Sequence, residues 1–208
     1  MKARMRSEFR ITLWSAVGIL SITGLVQSQT LSGSALVAAL RQGGYVIVMR
    51  HTSSPFEAPS KQAANPDNVN AERQLDKAGR DSATAMGKAL RELKIPIGEV
   101  QTSPTYRALE TVQYAQLGNP QPHAELGDRG QSMQGVSDAD GAWLRERTMQ
   151  IPKTGNTIIV THMPNLARAF PQVSGISDGE ALIFHPDGKG MAPLVARVKI
   201  DEWLDLPR

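Results

Sequence analysis

The 208-residue chain has no cysteine. That excludes disulfides, a thiolate metal site and a cysteine nucleophile. It does not exclude an extracytoplasmic protein, because about 180 residues bury an adequate core without covalent staples. A surplus of positive charge is also missing once the chain is divided. Four of the 23 Lys and Arg and one of the 20 Asp and Glu lie within residues 1–28, so the remainder holds 19 of each. A neutral body gives no compositional support for nucleic-acid binding, and any positive field has to be built locally by a few arginines. No internal repeat or low-complexity tract is present.

A membrane-length apolar run is lacking as well. Lys2, Arg4, Arg6 and Arg10 precede an uncharged stretch, Ile11 to Val26, interrupted by Thr12, Ser15, Ser21 and Thr23. Sixteen residues fall short of the roughly 20 needed to span a bilayer. A basic start, a short apolar stretch and the small-residue exit Val26-Gln27-Ser28 have the form of a secretory signal peptide. The expectation is a leader over 1–28, cleaved after Ser28, and a single domain over 29–208 located in the periplasm or secreted. Stable membrane insertion is not expected after cleavage, and the alternative is an anchor that is kept. Oligomeric state is not legible.

In the body of the chain, apolar β-branched runs alternate with helical patterns. Ser34 is expected to cap a helix over 35–42 that Gly43-Gly44 ends. Tyr45 to Met49 and Thr157 to Val160 are continuous apolar runs, the pattern of strands buried on both faces. A helical period runs from Asp76 and is stopped by Pro96 and Gly98. Val100 to Thr102 suits a short strand, and Ser103-Pro104 opens a helix with proline in its first turn. A further helix is expected over 140–149. Ala181 to Phe184 and Leu194 to Ile200 make a hairpin around His185-Pro186-Asp187-Gly188. Segments 53–70 and 118–135 read as long loops at a pocket mouth, with few aromatics or clustered bases. The fold class is therefore α/β, a three-layer α/β/α sandwich with a largely parallel central sheet and an antiparallel edge.

Both buried runs end in a histidine, in Arg50-His51-Thr52 and in Thr161-His162. Ligands of open α/β sheets bind at the carboxyl ends of strands, so the two histidines are expected to share one crevice. Arg107, in the first turn of a helix, adds a fork of donors suited to phosphate oxygens where a helix already favours anions.

These segments, with Ser103-Pro104-Thr105-Tyr106-Arg107-Ala108-Leu109-Glu110-Thr111 between them, resemble the histidine phosphatase superfamily, which includes the phosphoglycerate mutases. The resemblance implies a phosphoglycerate mutase-like fold and a metal-independent phosphomonoesterase that needs no cofactor. Its partner would be a small phosphorylated substrate or free phosphate. It implies His51 as nucleophile, forming a phosphohistidine, with Arg50, Arg107 and His162 as the phosphate clamp. The general acid is expected at Glu125, with Asp128 and Glu180 behind it, the alternative being no dedicated acid, as in some small members of the superfamily. Met163 departs from the branch that places an aspartate directly after the second histidine, which argues against the larger acid phosphatases and phytases. Thr52 replaces the usual glycine, and its hydroxyl is available to phosphate. Asn165 suits a helix cap better than the pocket, Glu110 supports the arginine helix, and His123 and His185 are loop residues. Competing readings are a phosphate-binding module without catalysis and a phosphoglycerate mutase-type phosphotransferase, the latter at odds with export.

Overall fold

The computed structural model describes residues 30–129 and 135–208. The expected leader and residues 130–134 of the second long loop lie outside the described residues. Six strands form one sheet in the order β3-β2-β4-β1-β5-β6. Strands β1 (Val46–Arg50), β2 (Ile97–Thr102), β3 (Gln121–Pro122) and β4 (Asn156–Thr161) run parallel. Strand β5 (Ala181–Phe184) is antiparallel both to β1 and to the edge strand β6 (Leu194–Val198). One reversed strand therefore sits between parallel neighbours, so β5, inside the sheet, is the antiparallel element rather than the edge itself.

The continuous apolar runs are central because strand side chains alternate between faces and both faces here are covered. In β1, Ile47 and Met49 pack with α1 (Gly33–Gln42), α2 (Lys77–Glu92) and α3 (Tyr106–Ala115), through Leu36, Leu40, Met86 and Val112. Val46 and Val48 pack on the other face with α4 (Asp138–Thr148) and α5 (Met163–Ala169), through Leu144 and Leu166. The three layers follow from that alternation.

Several boundaries differ from the sequence expectation. Helix α1 has Ser32, not Ser34, at its N-cap position, where the side chain makes no capping bond, and it ends before Gly43, whose φ is +80°. Helix α2 ends at Glu92, before Pro96, and Lys94 turns the chain with φ +55°. Gly98 does not stop a helix but lies inside β2, at an irregularity of the ladder, where a β-carbon would collide with the Thr154 backbone. Helix α3 begins at Tyr106 with Thr105 as N-cap, so Pro104 precedes the helix instead of forming its first turn. Helix α4 starts at Asp138, two residues early, because Ser137 and Asp140 form a reciprocal capping box.

Candidate active site

The register of the sheet brings the two histidines together. Arg50 is paired with Thr161 across parallel β1 and β4, and the His51 amide donates to the Thr161 carbonyl at 3.0 Å. The residue after each strand end is a histidine, and adjacent strands lie about 4.8 Å apart. The His51 and His162 ring centroids are accordingly 5.2 Å apart, inclined at 60°. Strand β2 flanks β4 on the other side, and the Ser103 amide donates to the Val160 carbonyl. Helix α3 then leaves the sheet beside His162 and places Arg107 in its first turn.

Arg107 joins the groups. Its Nε donates to His51 Nε2 at 3.3 Å, and its Nη2 reaches His162 Nδ1 at 3.1 Å and the carboxylate of Asp128. His51 Nδ1 is 2.8 Å from the Thr52 carbonyl, to which it donates, so the proton sits on Nδ1 and Nε2 carries the lone pair. His162 accepts from Arg107 at Nδ1, which places its proton on Nε2, 2.8 Å from Ser103 Oγ and 3.2 Å from Thr105 Oγ1. Thr105 makes no side-chain cap for α3; its hydroxyl faces Ser103 and His162.

Both rings are nearly inaccessible, His51 at 4% exposure and His162 at 1%. Burial pushes the His51 pKa down to about 3, and the charges of Arg107, Arg50 and Arg73 add to the effect against the Thr52 hydrogen bond. Burial, then Arg107, likewise holds His162 well below the ordinary histidine range. His51 is thus a neutral imidazole over the whole physiological range, as a nitrogen nucleophile must be.

The rings open onto a crevice of about 260 Å³ whose polar lining comprises Arg50, His51, Arg73, Asp128 and His162. Phe56, Met163 and Pro164 give it apolar walls. Arg50 is paired with Asp178 at 2.7 Å. Arg50, His51, Arg107 and His162, all named from the sequence, therefore converge. The carboxylates sort differently. Asp128 lines the crevice, whereas Glu125 lies on a single 3-10 turn, Ala124–Leu126, and does not. Glu180 is buried, bonded to Arg197 and to the Ser177 amide, and holds the turn before β5.

Other expectations change with the contacts. The Thr52 hydroxyl faces Thr111 Oγ1 at 3.3 Å and ties the His51 loop to α3, not to the crevice. Asn165 neither caps α5, whose N-cap is His162, nor lines the crevice. Its amide donates to the Glu125 and Gly127 carbonyls and so sets the segment that carries Asp128. Glu110 supports the arginine helix as expected, accepting from Asn65 at 2.8 Å and from the Leu75 amide at 2.6 Å. His123 packs near Trp143, and His185 stacks on Tyr45 before β1, at the other end of the sheet. Ser103, Thr105 and Arg73 were not singled out from the sequence. The first two stand inside the arginine motif, while Arg73 is a lone base at the end of a polar loop, with no periodicity to mark it. Among the described residues no three His, Asp or Glu side chains converge as a metal-ligand set.

No protein-family model matches the chain, and no curated protein sequence does. Solved structures do. The protein histidine phosphatase SixA, complexed with tungstate, aligns with a TM-score of 0.56 at 18% identity, over 76% of this chain and 98% of its own. A phosphoserine phosphatase from Entamoeba histolytica, in complex with 3-phosphoglyceric acid, aligns with a TM-score of 0.51 at 12% identity, over 74% and 95%. At these identities the likeness establishes the fold alone, a mostly parallel sheet between helical layers that this chain shares with those two phosphatases.

Proposed function

We propose that the protein is a phosphomonoesterase that works through a phosphohistidine on His51. The carrying observation is the contact of Arg107 Nε with His51 Nε2, which sets a guanidinium beside the lone pair of a buried neutral imidazole. Arg107 Nε turns from Nε2 to a phosphoryl oxygen as Nε2 attacks phosphorus in line; the P–N bond forms as the ester P–O bond breaks. Arg50 and Arg107 take the charge on the phosphoryl oxygens, since positioning and electrostatics dominate this chemistry, while neutral His162, first expected in the clamp, holds Arg107 through Nδ1. Asp128, the carboxyl group that lines the crevice, takes the role first assigned to Glu125. It relays a proton brought by the monoester monoanion to the departing oxygen, then receives one from the water that cleaves the P–N bond and releases phosphate. A phosphoryl group drawn to Arg107 competes with Asp128 for the guanidinium and loosens their pair. No step is assigned to a metal ion. We read the protein as exported, on the form of residues 1–28.

The test is hydrolysis of phenyl phosphate in EDTA by the protein and by His51→Ala. Phenolate leaves far more readily than an alkoxide, so this assay depends much less on the acid. Activity in the parent and its loss in the variant, on the order of 10³-fold or more as for removal of a nucleophile, is expected. Equal inactivity of both sinks the enzymatic reading; loss of parent activity in EDTA sinks the metal-free mechanism.

A further inference from the structure

We propose that Arg73 and Phe56 form a leaving-group subsite at the crevice mouth, selecting substrates that carry a second anionic group beside the phosphoryl group. The proposal rests on the phosphatase reading above and extends it to substrate class.

The crevice is graded in depth. His51, His162 and Arg107 are 4%, 1% and 4% exposed, whereas Arg73 is half-buried and Phe56 is 84% exposed. A phosphoryl group against His51 Nε2 has its oxygens served by buried Arg107 at the floor and by half-buried Arg50 beside His51. A guanidinium nearer the mouth meets what lies beyond the ester oxygen.

Arg73 belongs to the site electrically, because its charge adds to the depression of proton affinity at both His51 and His162. It is also held in place. Its Nε donates to the Pro55 carbonyl at 2.5 Å and its Nη2 to the Ser54 carbonyl at 3.2 Å. The same ends of the 53–76 segment are clasped by Ser53 Oγ on Asp76 at 2.7 Å and Ser54 Oγ on the Gln74 carbonyl at 2.9 Å. A cation fixed before binding loses little entropy on meeting its ligand. The guanidinium lies 5.7 Å from the Phe56 ring centroid, so the mouth presents a planar apolar face and a charge together. Carboxylate and phosphate both match a guanidinium fork.

The experiment compares the parent, Arg73→Gln and Arg73→Lys on phenyl phosphate, 4-carboxyphenyl phosphate and 1,4-phenylene bisphosphate. Arg73→Gln is expected to raise KM about tenfold or more for one or both doubly anionic compounds, the scale of one charged contact. Phenyl phosphate should be weakened distinctly less, so that the ratio of doubly to singly anionic KM rises severalfold, and Arg73→Lys should fall between. The carboxylate and bisphosphate arms tell which second anion the subsite takes. A rise shared equally by all three compounds makes Arg73 a loop clasp only, and no rise removes the subsite; either overturns the proposal. If the parent hydrolyses none of them, the phosphatase reading fails separately. Calorimetric binding of the same compounds then decides the subsite, which stands only if Arg73→Gln selectively weakens the doubly anionic ones.

Discussion

At the scale of single residues, His51 and Asp128 make separable demands. His51 is deprotonated by its surroundings: its pKa falls from 6.5 to about 3 on folding, chiefly through burial. A folded pKa below the unfolded one means that the unfolded chain binds the extra proton between those values, so the penalty grows as pH falls from 6.5 toward 3 and is absent above 6.5. Replacing His51 by Gln removes that contribution. The difference in unfolding free energy between parent and His51→Gln, from urea titrations at pH 7, 6 and 5, should therefore shift toward the variant on acidification. The slope approaches roughly 1.4 kcal/mol per pH unit for one proton; parallel profiles would show that His51 protonates freely in the folded state. Asp128 is read out by leaving group instead. Asp128→Asn should slow an alkyl phosphate at least ~10²-fold, the low end for general acid catalysis, and phenyl phosphate much less. Glu125→Gln should change neither. An unchanged alkyl-to-aryl ratio in Asp128→Asn would remove it as the acid.

At the scale of elements, the site depends on how closely α2 approaches the His51 loop. Gly79 and Gly87 lie on this helix, and both lack room for a β-carbon: at Gly79 it would land on the Ser53 carbonyl oxygen, at Gly87 on that of Ala115. Both alanine variants must shift backbone, with a cost of roughly 1–3 kcal/mol for overpacking. Their consequences differ because Ser53 is two residues from His51, whereas Ala115 ends α3 away from Arg107. Gly79→Ala should therefore lose several-fold more kcat than Gly87→Ala at a similar loss of stability, compared by activity and urea midpoint. Equal losses would show that this contact carries only packing. Such close approaches were hidden in the sequence, which supplies period and composition but not distance. The apolar runs announced β1 and β4 because burial on both faces requires that pattern. Arg50, His51, Arg107 and His162 were legible because strand ends and helix starts have local signatures. Asp128 was legible only as a candidate ranked behind Glu125, and Arg73 not at all. Their places are set by long-range ties, Asn165 to the Glu125 and Gly127 carbonyls and Arg73 to Ser54 and Pro55.

At the scale of the whole molecule, charge sets residues 1–28 apart from the rest of the chain. The basic excess of the chain resides in residues 1–28, and residues 31–42 are built into the fold. The Leu31 amide donates to the Val195 carbonyl of β6 at 2.7 Å, and α1 starts at Gly33, burying Leu36, Val37 and Leu40 against the sheet. Among the described residues no helix is long and apolar enough to cross a membrane. If residues 1–28 serve export alone, a chain beginning at Gln29 keeps every described contact of the core. It should melt within about 2 °C of the full chain, a shift below that of a 1 kcal/mol change at this size, and hydrolyse phenyl phosphate at the same kcat. Expressed with its leader in a bacterium, the protein should be recovered from the periplasmic fraction with Gln29 at its N-terminus, read by mass spectrometry. Recovery of the intact chain in the membrane fraction would make the leader an anchor, and a truncated protein with lowered stability would make it part of the fold.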